Sequence, residues 1–380
     1  MDIRFGPSDQ STAGIEWEMA IVDRDTLEQV PEAVRVLEQV DDPEEGPIRG
    51  EYLESMLELV SGVHHDVAAA ERDMQQLLER VLEMLDPHGL TVLPMGAHPF
   101  GDPTVQRPRA KDQYARVVAR NAWWGRQMCV NGLHVHVGVD HRDKALPIVM
   151  GIARLSCYFI ALTASSPLWL GEDTGFASHR TMLFQQLSTN GPPYRMTDWD
   201  AYVAYAQELA DRGMIETPGE IRWDVRPSQW GTVENRLMDA VPTTWELGAI
   251  AALSQCVAER LSRAILVDEP IWKLPHWLMR ENRWRAARYG VAAEVMTPRP
   301  EQRTTSLTDG LLYWLREVEP IAEELGCAEQ LARVRRLLRE GPSYLRQRRV
   351  WEATGDVKAV VGSVLDETRA GHPNFEEQPR

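Results

Sequence analysis

Lysine is scarce in this 380-residue chain: only Lys111, Lys144, Lys273 and Lys358 stand among 41 basic residues, so nearly all positive charge is arginine. Cysteine is equally scarce. Cys129, Cys157, Cys256 and Cys327 lie far apart and form no CxxC, which fits reduced, mostly buried thiols better than a disulfide framework or a cysteine-based zinc site. No two glycines are separated by a single residue and no lysine follows a glycine. The Rossmann fingerprint and the Walker A loop are therefore both absent, as is the GxSxG elbow. Positive charge is also in deficit, with 41 basic against 57 acidic residues and a net charge of −16. That balance argues against a nucleic-acid or anionic-membrane surface. The most apolar stretch, from Ala145 to Leu170, is interrupted by Arg154 and by serines and threonines, so it reads as a buried helix rather than a membrane span. Residues Met1 to Arg4 carry no apolar signal core. A soluble, cytoplasmic protein acting on small molecules is expected.

What is present is ordinary globular composition, 43% hydrophobic and 26% charged. Thr12–Asp23 alternates Ile15, Trp17, Met19 and Ile21 with Glu16, Glu18, Ala20 and Val22, the period of a strand with one apolar face. Leu133–Val139 alternates in the same way, with His134 and His136 on the polar side. Ile221–Arg226 sets Arg222, Asp224 and Arg226 against Ile221, Trp223 and Val225, and Gly231–Asp239 sets Glu234 and Arg236 against Val233 and Leu237. Asp66–Pro87 reads as an amphipathic helix stopped near Gly89, whereas the period of Glu51–Ser61 is ambiguous. Strands and helices do not alternate strictly. The expected class is α+β: an antiparallel sheet with helices on its apolar face and a functional groove on the other. Residues 1–380 read as a single catalytic domain, helical over about 243–345 and poorly ordered over about 365–380.

Three strands thus each place ligand-type side chains two residues apart on a polar face. Glu16 and Glu18 would repel one another unless a cation sat nearby, and oxygen-rich sites suit Mg²⁺ or Mn²⁺. An HxH such as His134–His136 presents two imidazoles for a metal, or is a pair of satisfied core histidines. Glu234 beside Arg236 combines a carboxylate for a metal with a guanidinium for phosphate, or is a cross-strand ion pair. Taken jointly, they point to a groove holding divalent metals and a polyphosphate.

The segments GIEWEM, LHVHVG, SSPLWLGEDTGFASHR, RWDVRPSQWGTVENRLMD and ENRWRAARYG, spanning Gly14 to Gly290, resemble the carboxylate–amine ligases of the glutamate–cysteine ligase type 2 family. The resemblance implies a glutamine-synthetase-like catalytic fold whose antiparallel sheet curves into a funnel, ATP-dependent joining of a carboxylate to an amine, and a homo-oligomer. It implies that Glu16 and Glu18 hold the nucleotide's magnesium ions, and that Glu51 and Glu58 form a second acidic pair. It also implies that His136 and Glu234 are metal ligands, with His134 in support, and that Arg236 contacts the transferred phosphate. The family often has glutamate where this chain has Trp17; because that position faces the apolar side, the metal site should survive. Arg180 and Arg226 are candidates either to grip a substrate carboxylate or to form structural salt bridges. The implied reaction joins the γ-carboxylate of L-glutamate to L-cysteine through an acyl phosphate. The same chemistry on another amine, a metal-dependent hydrolase built on the HxH, and a binding protein that kept only the fold are the competing readings.

Overall fold

The computed structural model describes residues 1–196, 198–271, 274–299 and 301–375. Its strands, in chain order, are β1 (Ala13–Asp23), β2 (Ile48–Gly50), β3 (Met56–Val60), β4 (Leu90–Leu93), β5 (Gly132–Gly138), β6 (Leu168–Trp169), β7 (Glu172–Asp173), β8 (Val225–Pro227), β9 (Thr232–Asp239), β10 (Glu294–Arg299) and β11 (Gln302–Ser306). The helices are α1 (Val34–Leu37), α2 (Val67–Leu85), α3 (Asp112–Arg126), α4 (Arg142–Arg154), α5 (Ser156–Thr163), α6 (His179–Phe184), α7 (Trp199–Asp211), α8 (Thr244–Leu266), α9 (His276–Tyr289), α10 (Leu307–Glu324), α11 (Ala328–Glu340), α12 (Ser343–Thr354) and α13 (Val357–Ala370).

Seven strands form one antiparallel sheet in the order β2-β3-β1-β5-β9-β8, with β4 pairing the far end of β1. Period-two alternation decides what each face carries. Ile15, Trp17, Met19 and Ile21 of β1 are buried with Leu57 and Leu59 of β3, Val135 and Val137 of β5 and Val233 of β9. Helices α2, α4, α5 and α8 pack against the strands and share that core. Trp17 lies on this side, fully buried, and its indole Nε1 donates to the Val241 carbonyl at 3.0 Å. The expected α+β class, with an antiparallel sheet and helices on its apolar face, is the observed one.

Helix α2 begins where Asp66 accepts a hydrogen bond from the Ala68 amide at 2.8 Å, and a short 3-10 turn carries the chain to Gly89, whose φ of 70° is the left-handed stop. The apolar stretch from Ala145 is two helices, α4 and α5, bent by 57°. Its Arg154 is accommodated by stacking over the Trp314 ring at 5.1 Å. Among the described residues no single helix is long and apolar enough to cross a membrane.

Three expectations need correction. The run Ile221–Arg226 joins the sheet only from Val225, because β8 pairs with β9 through Val225, Arg226 and Pro227, while Trp223 makes an isolated bridge to Gly191. The helical stretch over 243–345 is interrupted by the β10–β11 hairpin. That hairpin was hidden because β11 is polar and mostly exposed, so it carries no alternating apolar signal. The tail expected to be loose from about 365 is helical to Ala370, with Glu367 and Thr368 buried; of that tail, residues 376–380 lie outside the described residues.

A buried ion triad is the reason. Arg346 of α12 donates to Glu246 on α8 at 2.9 Å and to both oxygens of Glu367 on α13 at 2.7 and 2.8 Å. All three residues are at most 5% exposed, so each depends on the others for solvation. Replacing Arg346 by Met leaves two buried carboxylates without their cation and is expected to cost about 3–5 kcal/mol. Chemical denaturation of the purified variant measures this loss.

Candidate active site

On the polar face of the sheet, strand register brings the sequence-separated ligands together. Glu18 stands opposite Glu58, Glu16 opposite His134, His136 opposite Glu234, and Glu234 opposite Arg226. Directly opposed residues hold their Cβ atoms about 4.5–5.5 Å apart, so five adjacent strands present one continuous row of polar side chains. Glu51 joins it from the turn between β2 and β3, with its Oε2 3.5 Å from the Tyr114 hydroxyl.

His134 Nδ1 lies 2.8 Å from Glu16 Oε2, and its Nε2 lies 3.7 Å from Glu18 Oε1. His136 Nδ1 is fixed by the Thr232 hydroxyl at 2.8 Å, which leaves Nε2 facing Glu16 Oε1 at 3.3 Å. That Nε2 is buried and has no hydrogen-bond partner, as expected of an imidazole nitrogen aimed at an electrophile. Glu18 accepts a hydrogen bond from the Gly132 amide. A Cβ at Gly132 would meet the Arg180 guanidinium, so the glycine leaves room for the arginine to lie against the strand. Two triplets, Glu16–His136–Glu234 and Glu16–Glu58–His134, each hold ligand atoms within 4.8 Å of one another and share Glu16. Oxygen-rich triplets with one imidazole fit hard divalent cations such as Mg²⁺ or Mn²⁺. His134, expected only in support, is in ligand position.

The electrostatics split the row in two. Burial would raise Glu234, but the Arg226 and Arg236 guanidiniums overcome it and hold its carboxyl far below the usual range. Arg226 Nε donates to Glu234 at 2.6 Å and Arg236 Nη1 at 2.8 Å. Burial is likewise overcome at Glu16, where His136 and His134 hold the carboxyl low. At the other end the cationic contact is longer, with Arg49 at 4.0 Å from Glu58. Burial, reinforced by Glu18 and Glu16, pushes Glu51 up to about 8. Burial and the charges of Glu16, Glu51 and Glu18 push Glu58 well above its ordinary value. A divalent cation would supply positive charge to this end of the row.

The two candidate carboxylate-gripping arginines are placed differently. Arg226 spends its guanidinium on Glu234 and on the carbonyls of Gly219 and Ile221 at 2.8 and 3.0 Å, so it holds the cluster in place. Arg180 is buried, has a partnerless Nε, and lies over the Phe184 ring at 5.3 Å. A tier beneath the arginines was not singled out from the sequence. Asp224 is 3.0 Å from Arg283, and Asp239 accepts from the Ser165 amide and the Ser166 and Ser178 hydroxyls at 3.0, 2.6 and 2.7 Å. The Gly/Ser/Pro-rich stretch after Ser165 therefore wraps around Asp239.

The row floors a cavity of about 490 Å³ that reaches Asp2, Arg4 and Trp230, and it adjoins a second lobe of about 310 Å³. Glu18, Glu51, His134, Arg226 and Arg236 border both lobes.

A family model described as glutamate–cysteine ligase family 2 matches residues 12–363. A Paenarthrobacter aurescens protein with the provisional name glutamate–cysteine ligase 2-2 is 43% identical, covering 98% of this chain and 99% of its own. A Leifsonia xyli protein provisionally named glutamate–cysteine ligase 2 is 44% identical, covering 97% and 99%. Among solved structures, the glutamate–cysteine ligase of Francisella tularensis in complex with AMP shares the fold. Its TM-score is 0.68 at 13% identity, covering 97% of this chain and 90% of that one.

The raised carboxyls have a measurable sign. An acid whose pKa is raised on folding makes the unfolded state bind fewer protons, so stability falls as pH climbs from the unfolded to the folded value. With divalent cations chelated, the stability of Glu51→Gln relative to the parent is expected to grow from about pH 5 to about pH 8. Melting temperatures of the pair across that range check it.

Proposed function

This chain belongs to glutamate–cysteine ligase family 2 and is a ligase that forms a C–N bond, and we propose that its reaction is ATP-dependent, proceeding through an acyl phosphate of the L-glutamate γ-carboxylate. Membership in a ligase family sets aside the hydrolase reading of the same two histidines. The observation that carries the proposal is the row of Glu16, Glu18, Glu51, Glu58, His134, His136 and Glu234 along one cavity, ending in Arg226 and Arg236. The AMP bound by the Francisella relative supports a nucleotide here.

The triphosphate lies over the acidic row in the larger lobe, its terminal phosphoryl group toward Arg236. Mg²⁺, or Mn²⁺, held by Glu16, Glu18, Glu51, Glu58, His136 and Glu234, would neutralise the polyphosphate and polarise the terminal phosphoryl group. A γ-carboxylate oxygen attacks that phosphorus in line; the new O–P bond forms as the bond to ADP breaks. Arg236 stabilises charge on the transferred group, while Glu234, gripped by two guanidiniums, stays ionised and fixes the Arg236 fork. A deprotonated amine then attacks the acyl carbon. The C–N bond forms, the C–O bond breaks, inorganic phosphate leaves with the electron pair, and the nitrogen's remaining extra proton passes to solvent. The acceptor is the amino group of an amino acid, L-cysteine being the one in the relatives' names. No side chain serves as a covalent nucleophile; positioning and charge suffice.

Glu234→Gln is expected to lower ADP formation on the order of a hundredfold or more, with the fold retained by circular dichroism. Near-normal turnover in that variant would refute the site.

A further inference from the structure

The smaller lobe differs in chemistry from the acidic one. Tyr52, Met56, Tyr114, Val130 and Leu187, each no more than 8% exposed, belong to a hydrophobic cluster separate from the main core. With Phe184 they form one wall of the lobe. The two tyrosines meet edge to face with centroids 5.4 Å apart. The Tyr52 hydroxyl donates to the Gly125 carbonyl at 2.9 Å and the Tyr114 hydroxyl points toward Glu51. The part of the lobe that these residues line is ring carbon and aliphatic surface. Arg116, Arg180 and Arg222 line the lobe as well, with Glu18, Glu51 and Glu220.

Neither the triphosphate nor glutamate has use for such a wall, and the nucleotide's adenine has aromatic surface of its own at Trp199, Tyr202 and Trp230 in the larger lobe. Phosphates and carboxylates lose hydration against an apolar surface, which returns no hydrogen bond. The side chain that covers the wall must come from the remaining substrate, and cysteine, with one methylene and a thiol, covers little of it. Resting on the ligase reading above, we propose that this lobe is the acceptor subsite. It selects an α-amino acid with a large apolar side chain, of the leucine, methionine or phenylalanine class, over cysteine. The side chain lies against the Tyr52–Met56–Leu187 wall and the carboxylate faces the arginines. The amino group points to the boundary with the larger lobe, where Arg236 stands. One methylene in a fitted apolar pocket is worth about 10–200-fold in discrimination, so the preference should be large.

The test uses the purified full-length protein with ATP, Mg²⁺ and L-glutamate, following ADP release with L-leucine, L-methionine, L-phenylalanine, L-cysteine, L-alanine and isopentylamine. At least one large apolar amino acid is expected to exceed cysteine and alanine in kcat/KM by about tenfold or more. Isopentylamine, which is leucine without its carboxylate, is expected to fall about tenfold or more below leucine, as for other sites deprived of a charged partner. Val117 on α3 borders the same lobe. Val117→Phe is expected to reduce the leucine-to-alanine ratio of kcat/KM by about tenfold, and a ratio taken within one variant is insensitive to partial unfolding. Preference for cysteine or alanine, or an unchanged ratio in Val117→Phe, overturns the acceptor assignment and leaves the ligase reading standing. ADP release that depends on no acceptor overturns both.

Discussion

Like charges held together out of water set the central constraint on this molecule. Five carboxylates share one face of a sheet, and their repulsion must be balanced locally or carried by the rest of the fold. At the Glu234 end two guanidiniums balance it; at the Glu51–Glu58 end burial and neighbouring negative charge push both carboxyls above the usual range. The opposite face of the same strands supplies the compensating term, since Ile15, Trp17 and Met19 bury their side chains completely or nearly so between the sheet and the helices. The strand that gathers the repelling groups is thus the strand that anchors the core. Neither face would keep its register without the other, because a slip of one residue exchanges them.

The scarcity of lysine takes on meaning in this setting. Around the site every strong cation in contact with the cluster is a guanidinium: Arg49, Arg226 and Arg236 beside carboxylates, and Arg180 and Arg236 also over the Phe184 ring. A planar fork satisfies a carboxylate and two carbonyls at once, as Arg226 does, where an ammonium would act as a mobile point charge. The precision of Glu234 depends on that fork.

How much of this was legible in the sequence follows from how local each signal is. Glu16, Glu18, His134, His136, Glu234 and Arg236 could be read because period-two alternation assigns a face without knowledge of the partner strand. Glu51 and Glu58 were placed through family resemblance alone, since Glu51 sits in a turn and only Met56–Val60 of its segment is a strand. Asp224 and Thr232 could be placed on a polar face but given no role, and Tyr114 and Asp239 gave no signal, because their roles arise from contacts with residues 59 to 96 positions away. Arg226 showed its charge in the sequence, but not that Glu234 and two carbonyls use it up. The β10–β11 hairpin escaped because its second strand is polar and mostly exposed and so lacks the hydrophobic rhythm by which strands are recognised.

The buried triad in the last helices has a consequence for synthesis. Helix α8 lies beneath the sheet and leaves the ribosome roughly a hundred residues before the Arg346 that neutralises its Glu246. Until α12 and α13 arrive, the layer supporting the catalytic face contains a charge that water must still solvate. A chain cut short before Arg346 would leave the buried Glu246 on α8 without the cation that neutralises it, and the helix layer beneath the sheet without its closing contact.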